Sequence, residues 1–94
     1  MDIDRSDIVL SIAGRDQGTL FYVLDVADGY VLIADGKGRR LEKPKRKKLK
    51  HVQKVARIES RVAEKLRSGE KVLNSELRRD LAAYGQAFSQ NQGG

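Results

Sequence analysis

The stretch Lys43-Pro44-Lys45-Arg46-Lys47-Lys48-Leu49-Lys50-His51 sets six ammonium and guanidinium groups within nine residues. Their chemistry is the neutralisation of a polyanion. Each phosphate met by such a cation releases condensed counterions, so nucleic acid is the natural match. The charge is strongly local. Residues 1–36 carry two basic and seven acidic side chains, residues 37–57 eleven and one, and residues 58–94 six and five, within an overall +6. Lys37, Arg39 and Arg40 extend the run on its N-terminal side. Leu41 and Leu49 bracket it, so it reads as a basic loop over 43–50, pinned at both ends and stiffened by Pro44. Such a loop loses less entropy on binding than a free tail.

A second candidate is the turn Ala13-Gly14-Arg15-Asp16-Gln17-Gly18. Gly14 and Gly18 permit positive φ and close backbone approach. Free N–H groups there, with Arg15 beside them, would cradle a phosphate. The structural alternative is a plain tight turn in which Asp16 caps its own backbone. Tyr22 and Tyr30 read either as platforms for stacked bases or as core. His51 is the single histidine and there is no cysteine, which argues against a protein-supplied zinc site. His51 reads as a strand-end residue or as one more contact to RNA. No nucleophile–base pair, paired carboxylates or phosphate loop leading into a helix is present, so no enzyme, catalytic residue or cofactor is expected.

These groups need a scaffold, and 94 residues provide one domain with a small core. Ile8–Ala13, Leu20–Val26 and Tyr30–Ala34 are apolar runs with strand character. Asp28-Gly29 between the last two is a hairpin signal, and Asp35-Gly36 a second turn. Arg39–Glu42 is expected as a fourth strand and Leu49–Val52 as a fifth, with Pro44 in the loop between them. Both parities of Leu20–Val26 and Tyr30–Ala34 are apolar, so the sequence does not say which face is buried. After residue 53 the period becomes helical. Val55, Ile58, Val62, Ala63 and Leu66 form one face, and Ser68-Gly69 ends that helix. Asn74 or Ser75 caps a second, carrying Leu77, Leu81 and Tyr84 and stopping at Gly85. The expected organisation is a barrel over 1–53, a helical pair over 54–85 and a disordered tail over 86–94. The N-terminus has no signal-peptide character, and no stretch approaches the roughly 20 apolar residues of a membrane span. A soluble cytoplasmic protein is expected.

The glycine turn followed by Leu20–Val26 resembles a KOW motif. Tyr30–Gly36 and then Leu41–Val52 extend the likeness to a narrower group, the bacterial KOW-domain RNA-binding proteins. These are similar to an archaeal and eukaryotic large-subunit ribosomal protein family. The resemblance spans about residues 7–52, half of the chain. It implies an α+β fold, a small SH3-like β-barrel of about five strands followed by two C-terminal α-helices. It also implies a non-enzymatic protein that binds structured, ribosomal RNA. The expected RNA-binding residues are Arg15, Lys37, Arg39, Arg40, Lys43, Lys45, Arg46, Lys47, Lys48, Lys50 and His51, with Gly14, Asp16 and Gly18 forming the KOW turn. The alternative is a protein-interaction module that docks on a ribosomal protein or RNA polymerase through the barrel or through residues 55–84.

Overall fold

The computed structural model describes the backbone of residues 3–93 and the side chains of residues 3–87. Five antiparallel strands form one sheet: β1 (Ile8–Ser11), β2 (Leu20–Ala27), β3 (Tyr30–Ala34), β4 (Lys45–Lys48) and β5 (Val52–Ala56), in the order β4-β3-β2-β1-β5. Two helices follow, α1 (Arg61–Ser68) and α2 (Asn74–Gly93). β4 and β5 lie at opposite edges, yet only the 3-10 turn Leu49–His51 separates them. The sheet therefore curls, helped by register shifts at Ile8/Val9 and Val23/Asp25. No ladder joins β4 to β5, so the sheet is open and the expected barrel closure is not seen.

The Asp28-Gly29 hairpin forms as read, with φ of 54° and 78° at its two central residues. The next expectations need correction. Arg39–Glu42 is a bend and a turn, not a strand. The basic run is not a loop either: Lys45–Lys48 is the edge strand β4, paired Ile33↔Lys45, Leu32↔Arg46, Val31↔Lys47 and Tyr30↔Lys48. Pro44, which cannot donate to a ladder, immediately precedes it.

Two clusters of buried side chains fill the two faces of the sheet. Val9, Phe21, Val23, Val31, Ile33 and Val52 pack with Ile3 on the concave face. Ile8, Tyr22 and Ala34 point the other way, into Val62 and Ala63 of α1 and Leu77 and Leu81 of α2. Each fully buried aliphatic side chain contributes about 1.5–3 kcal/mol. Alternate residues of β2 thus enter different clusters, which is why both of its parities are apolar; on β3, Val31 and Ile33 enter the first cluster and Ala34 the second, while Tyr30 and Leu32 line a depression on the outward face. Tyr22, fully buried, donates its hydroxyl to Asp80 Oδ2 at 2.6 Å, and Ser60 donates to the same oxygen at 2.8 Å. This junction fastens β2 to both helices.

The helices differ from expectation at their ends. Val55 lies in β5 and Ile58 in the linker, although both still pack against the helix-side cluster. α1 begins after Ser60, whose hydroxyl accepts the Ala63 N–H, and it ends at Gly69. α2 passes through Gly85 and continues to Gly93. Residues 86–93 are therefore helical where a disordered tail was expected, and Gly94 lies outside the described residues. An interior glycine costs a helix only about 1 kcal/mol. Here Leu81 is buried just before it, and the Tyr84 hydroxyl donates to Val55 O at 3.2 Å. No helix among the described residues is long and apolar enough to cross a membrane.

Candidate nucleic-acid interface

β4 sorts the basic run by parity. Lys45 and Lys47 share a face with Ile33 and Val31, toward the glycine turn, whereas Arg46 and Lys48 share the opposite face with Leu32 and Tyr30. Lys47 is buried at 7 % exposure. Its ammonium donates to Asp16 Oδ1 at 2.7 Å and to Ala13 O at 2.8 Å. Lys45 donates to Asp16 Oδ2 at 2.7 Å, and the Ser11 hydroxyl to Oδ1 at 2.7 Å. Burial works against the Asp16 charge, but the hydrogen bonds from Lys45, Lys47 and Ser11 outweigh it. They hold this carboxyl well below the usual carboxylate range. Lys47 is thus a fastener between β4 and the glycine turn, which corrects its expected place among the RNA contacts. Lys45 is half engaged in the same way.

The turn itself is tightly bonded. Gly14 and Gly18 take φ of 85° and 92°. The N–H groups of Gln17, Gly18 and Thr19 donate to Gly14 O, Ser11 O and Asp16 O, so they are not free to cradle an anion. Asp16 caps no backbone N–H here; its carboxylate binds side chains. Arg15 projects from this turn, exposed. With Arg39 and Lys45, and above Asp16 and Asp35, it lines a depression of about 310 Å3. Three chain segments therefore supply cations to one hollow.

The second basic segment is preformed as well. The Asp35 carboxylate accepts the N–H groups of Lys37 and Arg39, each at 2.9 Å, and Arg39 O accepts those of Asp35 and Gly36. α2 holds the loop from behind. Arg78 donates to Gly36 O at 2.6 Å, and Asn74 Oδ1 accepts the Leu41 N–H at 2.8 Å. Gly36 lies so close to the Asn74 carbonyl that a side chain there would strike it. Asn74, expected as a helix cap, is spent on this tether, with its amide on Glu42; Glu76 accepts the Leu73 N–H at 2.9 Å instead. Lys37, Arg39, Arg40 and Lys43 are exposed around the loop.

Arg46 lies with its guanidinium carbon 3.9 Å from the centre of the Tyr30 ring. Lys48 and Lys50 are exposed and His51 is half-buried; the His51 carbonyl accepts the Ile12 N–H at 2.9 Å. The structure thus gathers Arg15, Arg39 and Lys45 at one end of β4, and places Arg46 and Lys48 on its other face. Sequence reasoning overlooked Ser11, Asn74 and Arg78 as supports. Only Arg78, one of a pair of arginines among acidic neighbours on α2, carried any signal, and mixed charge on a helix ordinarily marks a solvated face. The acidic front of the chain is partly internal too: Asp7 is fully buried, with Arg57 at 2.8 Å and Lys54 at 3.4 Å. No group of three or more metal-ligating side chains occurs among the described residues. The chain matches no family model and no curated protein.

Proposed function

We propose that this protein is a non-enzymatic RNA-binding module of the KOW kind, a curled half-barrel backed by two helices, that holds structured ribosomal RNA by its backbone. The reading rests on one observation above all. Cations from the glycine turn, from the second loop and from β4 line a single depression, on a frame already fixed by the Asp16 fastener and by α2. Preordered cations lose little freedom on binding, which favours recognition of a shaped phosphate array. The β4–turn–β5 arrangement at the two edges of the curled sheet supports the barrel likeness.

Affinity for a folded ribosomal RNA fragment, measured against salt, tests it. With about four to six phosphates engaged, log affinity falls with log salt at a slope of roughly −3 to −5. Arg15→Ala and Arg39→Ala each flatten the slope by about one unit, whereas Arg61→Ala, on α1 and outside the lining of that depression, leaves it unchanged. A flat salt response, or equal losses from all three variants, defeats the reading. Crosslinking in cells locates the RNA, and recovery of random messenger fragments without ribosomal enrichment removes the ribosomal part.

A protein-docking module is the second reading. Its support is Leu73, 53 % exposed beside Leu41 and Val72 in a groove between the second loop and α2.

A further inference from the structure

The outward face of β4 carries a second kind of chemistry. Tyr30, Leu32 and Arg46 wall a depression of about 150 Å3, whose other side is formed by Asp25 and Asp28 at the β2–β3 hairpin. The Arg46 guanidinium is already stacked 3.9 Å from the centre of the Tyr30 ring. A planar cation on an aromatic ring extends a flat surface on which a nucleobase stacks. The two carboxylates repel phosphate, so the hollow suits a base and not the backbone. Asp25 is occupied: it accepts the Val26 N–H at 2.9 Å and pairs with Arg5 at 3.6 Å. Asp28 makes no such bond among the described residues, and it borders the same hollow. A free carboxylate accepts two parallel N–H bonds. Guanine is the base whose pairing edge offers two adjacent donors, N1–H and the 2-amino group. Adenine and cytosine offer one donor beside an acceptor, and uracil a donor between two acceptors. Lys48, opposite Tyr30 in the ladder and exposed, stands ready for the neighbouring phosphate.

We infer that the Tyr30–Arg46 depression is a nucleobase site that takes one unpaired guanine, with Asp28 reading its pairing edge. The inference rests on the RNA-binding reading above and adds a base-specific subsite to it. The RNA would then present a bulged or looped guanine beside the duplex held at Arg15, Arg39 and Lys45.

The test is fluorescence anisotropy of the full chain with short RNA hairpins, either fully paired or carrying a single bulged guanine, adenine or uracil. The bulged-guanine hairpin is expected to bind about tenfold tighter than the paired one, the scale of one stacked base, and tighter than the other two bulges. Arg46→Lys keeps the charge and removes the planar stack, so the bulged-to-paired ratio falls toward one. Asp28→Asn suits the same turn conformation and erases the guanine-over-adenine ratio, because an amide offers a single acceptor. Both readouts are ratios within one variant, so a general change in charge or folding cancels. Equal binding of paired and bulged hairpins overturns the base site and leaves RNA binding standing. Equal binding of all bulges overturns the assignment to guanine. If no hairpin binds, the RNA-binding reading falls and the base site with it.

Discussion

The Lys47 ammonium sits 2.7 Å from the Asp16 carboxylate, although 31 residues separate the two along the chain. This ion pair joins the glycine turn to the basic edge strand, and with Lys45 and Ser11 it makes Asp16 the hub on which three side chains converge.

Asp16→Asn is expected to destabilise the protein by about 2 kcal/mol. The substitution leaves the buried Lys47 ammonium without its counter-charge, the expensive way to break such a pair. Remaining access to water at Lys45 and Asp16 keeps the loss below that of a fully buried pair. Urea denaturation measures it as a lower midpoint. Adding Lys47→Met to Asp16→Asn should restore part of the loss, because it removes the stranded charge and keeps the packing. A double variant worse than the sum of the two single ones would refute the pairing.

The same carboxyl sets an acid limit. Its folded pKa lies below its ordinary value of 3.8. A depressed carboxylate stabilises the fold above the unfolded pKa, and that stability is lost as pH falls through the folded one. The midpoint gap between wild type and Asp16→Asn should therefore be constant near pH 6 and narrow below about pH 4. A gap that widens on acidification would contradict the assignment.

At the helix junction the sign reverses. Burial, and then the hydrogen bond to Asp80, push the Tyr22 phenol well above its ordinary value of 10.0. The neutral phenol is the form the fold favours, so its contribution is complete below the unfolded pKa and is lost as pH rises through the folded one. Tyr22→Phe should cost about 1–2 kcal/mol at neutral pH through loss of one buried hydrogen bond to a charged acceptor. Above about pH 10 the wild type should lose stability more steeply than the variant. Parallel pH curves would show that Tyr22 bears no titrating load.

Two glycines separate backbone strain from collision. Gly18→Ala forces a side chain to φ of 92° with no atom nearby, whereas Gly36→Ala at φ of 77° also drives it into the Asn74 carbonyl. The first should cost about 1 kcal/mol and the second several. Gly36→Ala should additionally free the second loop, seen as faster amide exchange at Lys37 and Arg39, whose N–H groups are bonded to Asp35. Equal costs at the two sites would mean that the close approach of α2 is absent.

Local chemistry made some of this legible in advance. The Asp28-Gly29 hairpin and the turn at Gly14 and Gly18 follow from backbone conformations few other residues adopt, and both are found. The buried side of β2 was undecidable for a physical reason: Phe21 and Val23 fill one core while Tyr22 fills the other. β4 was misread because a strand of four cations has no apolar alternation, and the carboxylate that lets it form is remote in sequence. Lys47 therefore looked like a ligand-binding residue when it is a structural one. Asn74 looked like a cap because its loop partner, Leu41, lies 33 residues away.

Because the curled sheet stays open, β4 is left with one row of backbone donors and acceptors that no neighbouring strand satisfies. Bare rows of this kind recruit strands from other molecules and seed aggregation. Arg46 and Lys48 stand along that row, and two such edges meeting head-on would oppose like charges at strand spacing. The charges of the edge strand thus also oppose edge-to-edge pairing of two copies of the chain. A variant stripped of these charges would lose that protection.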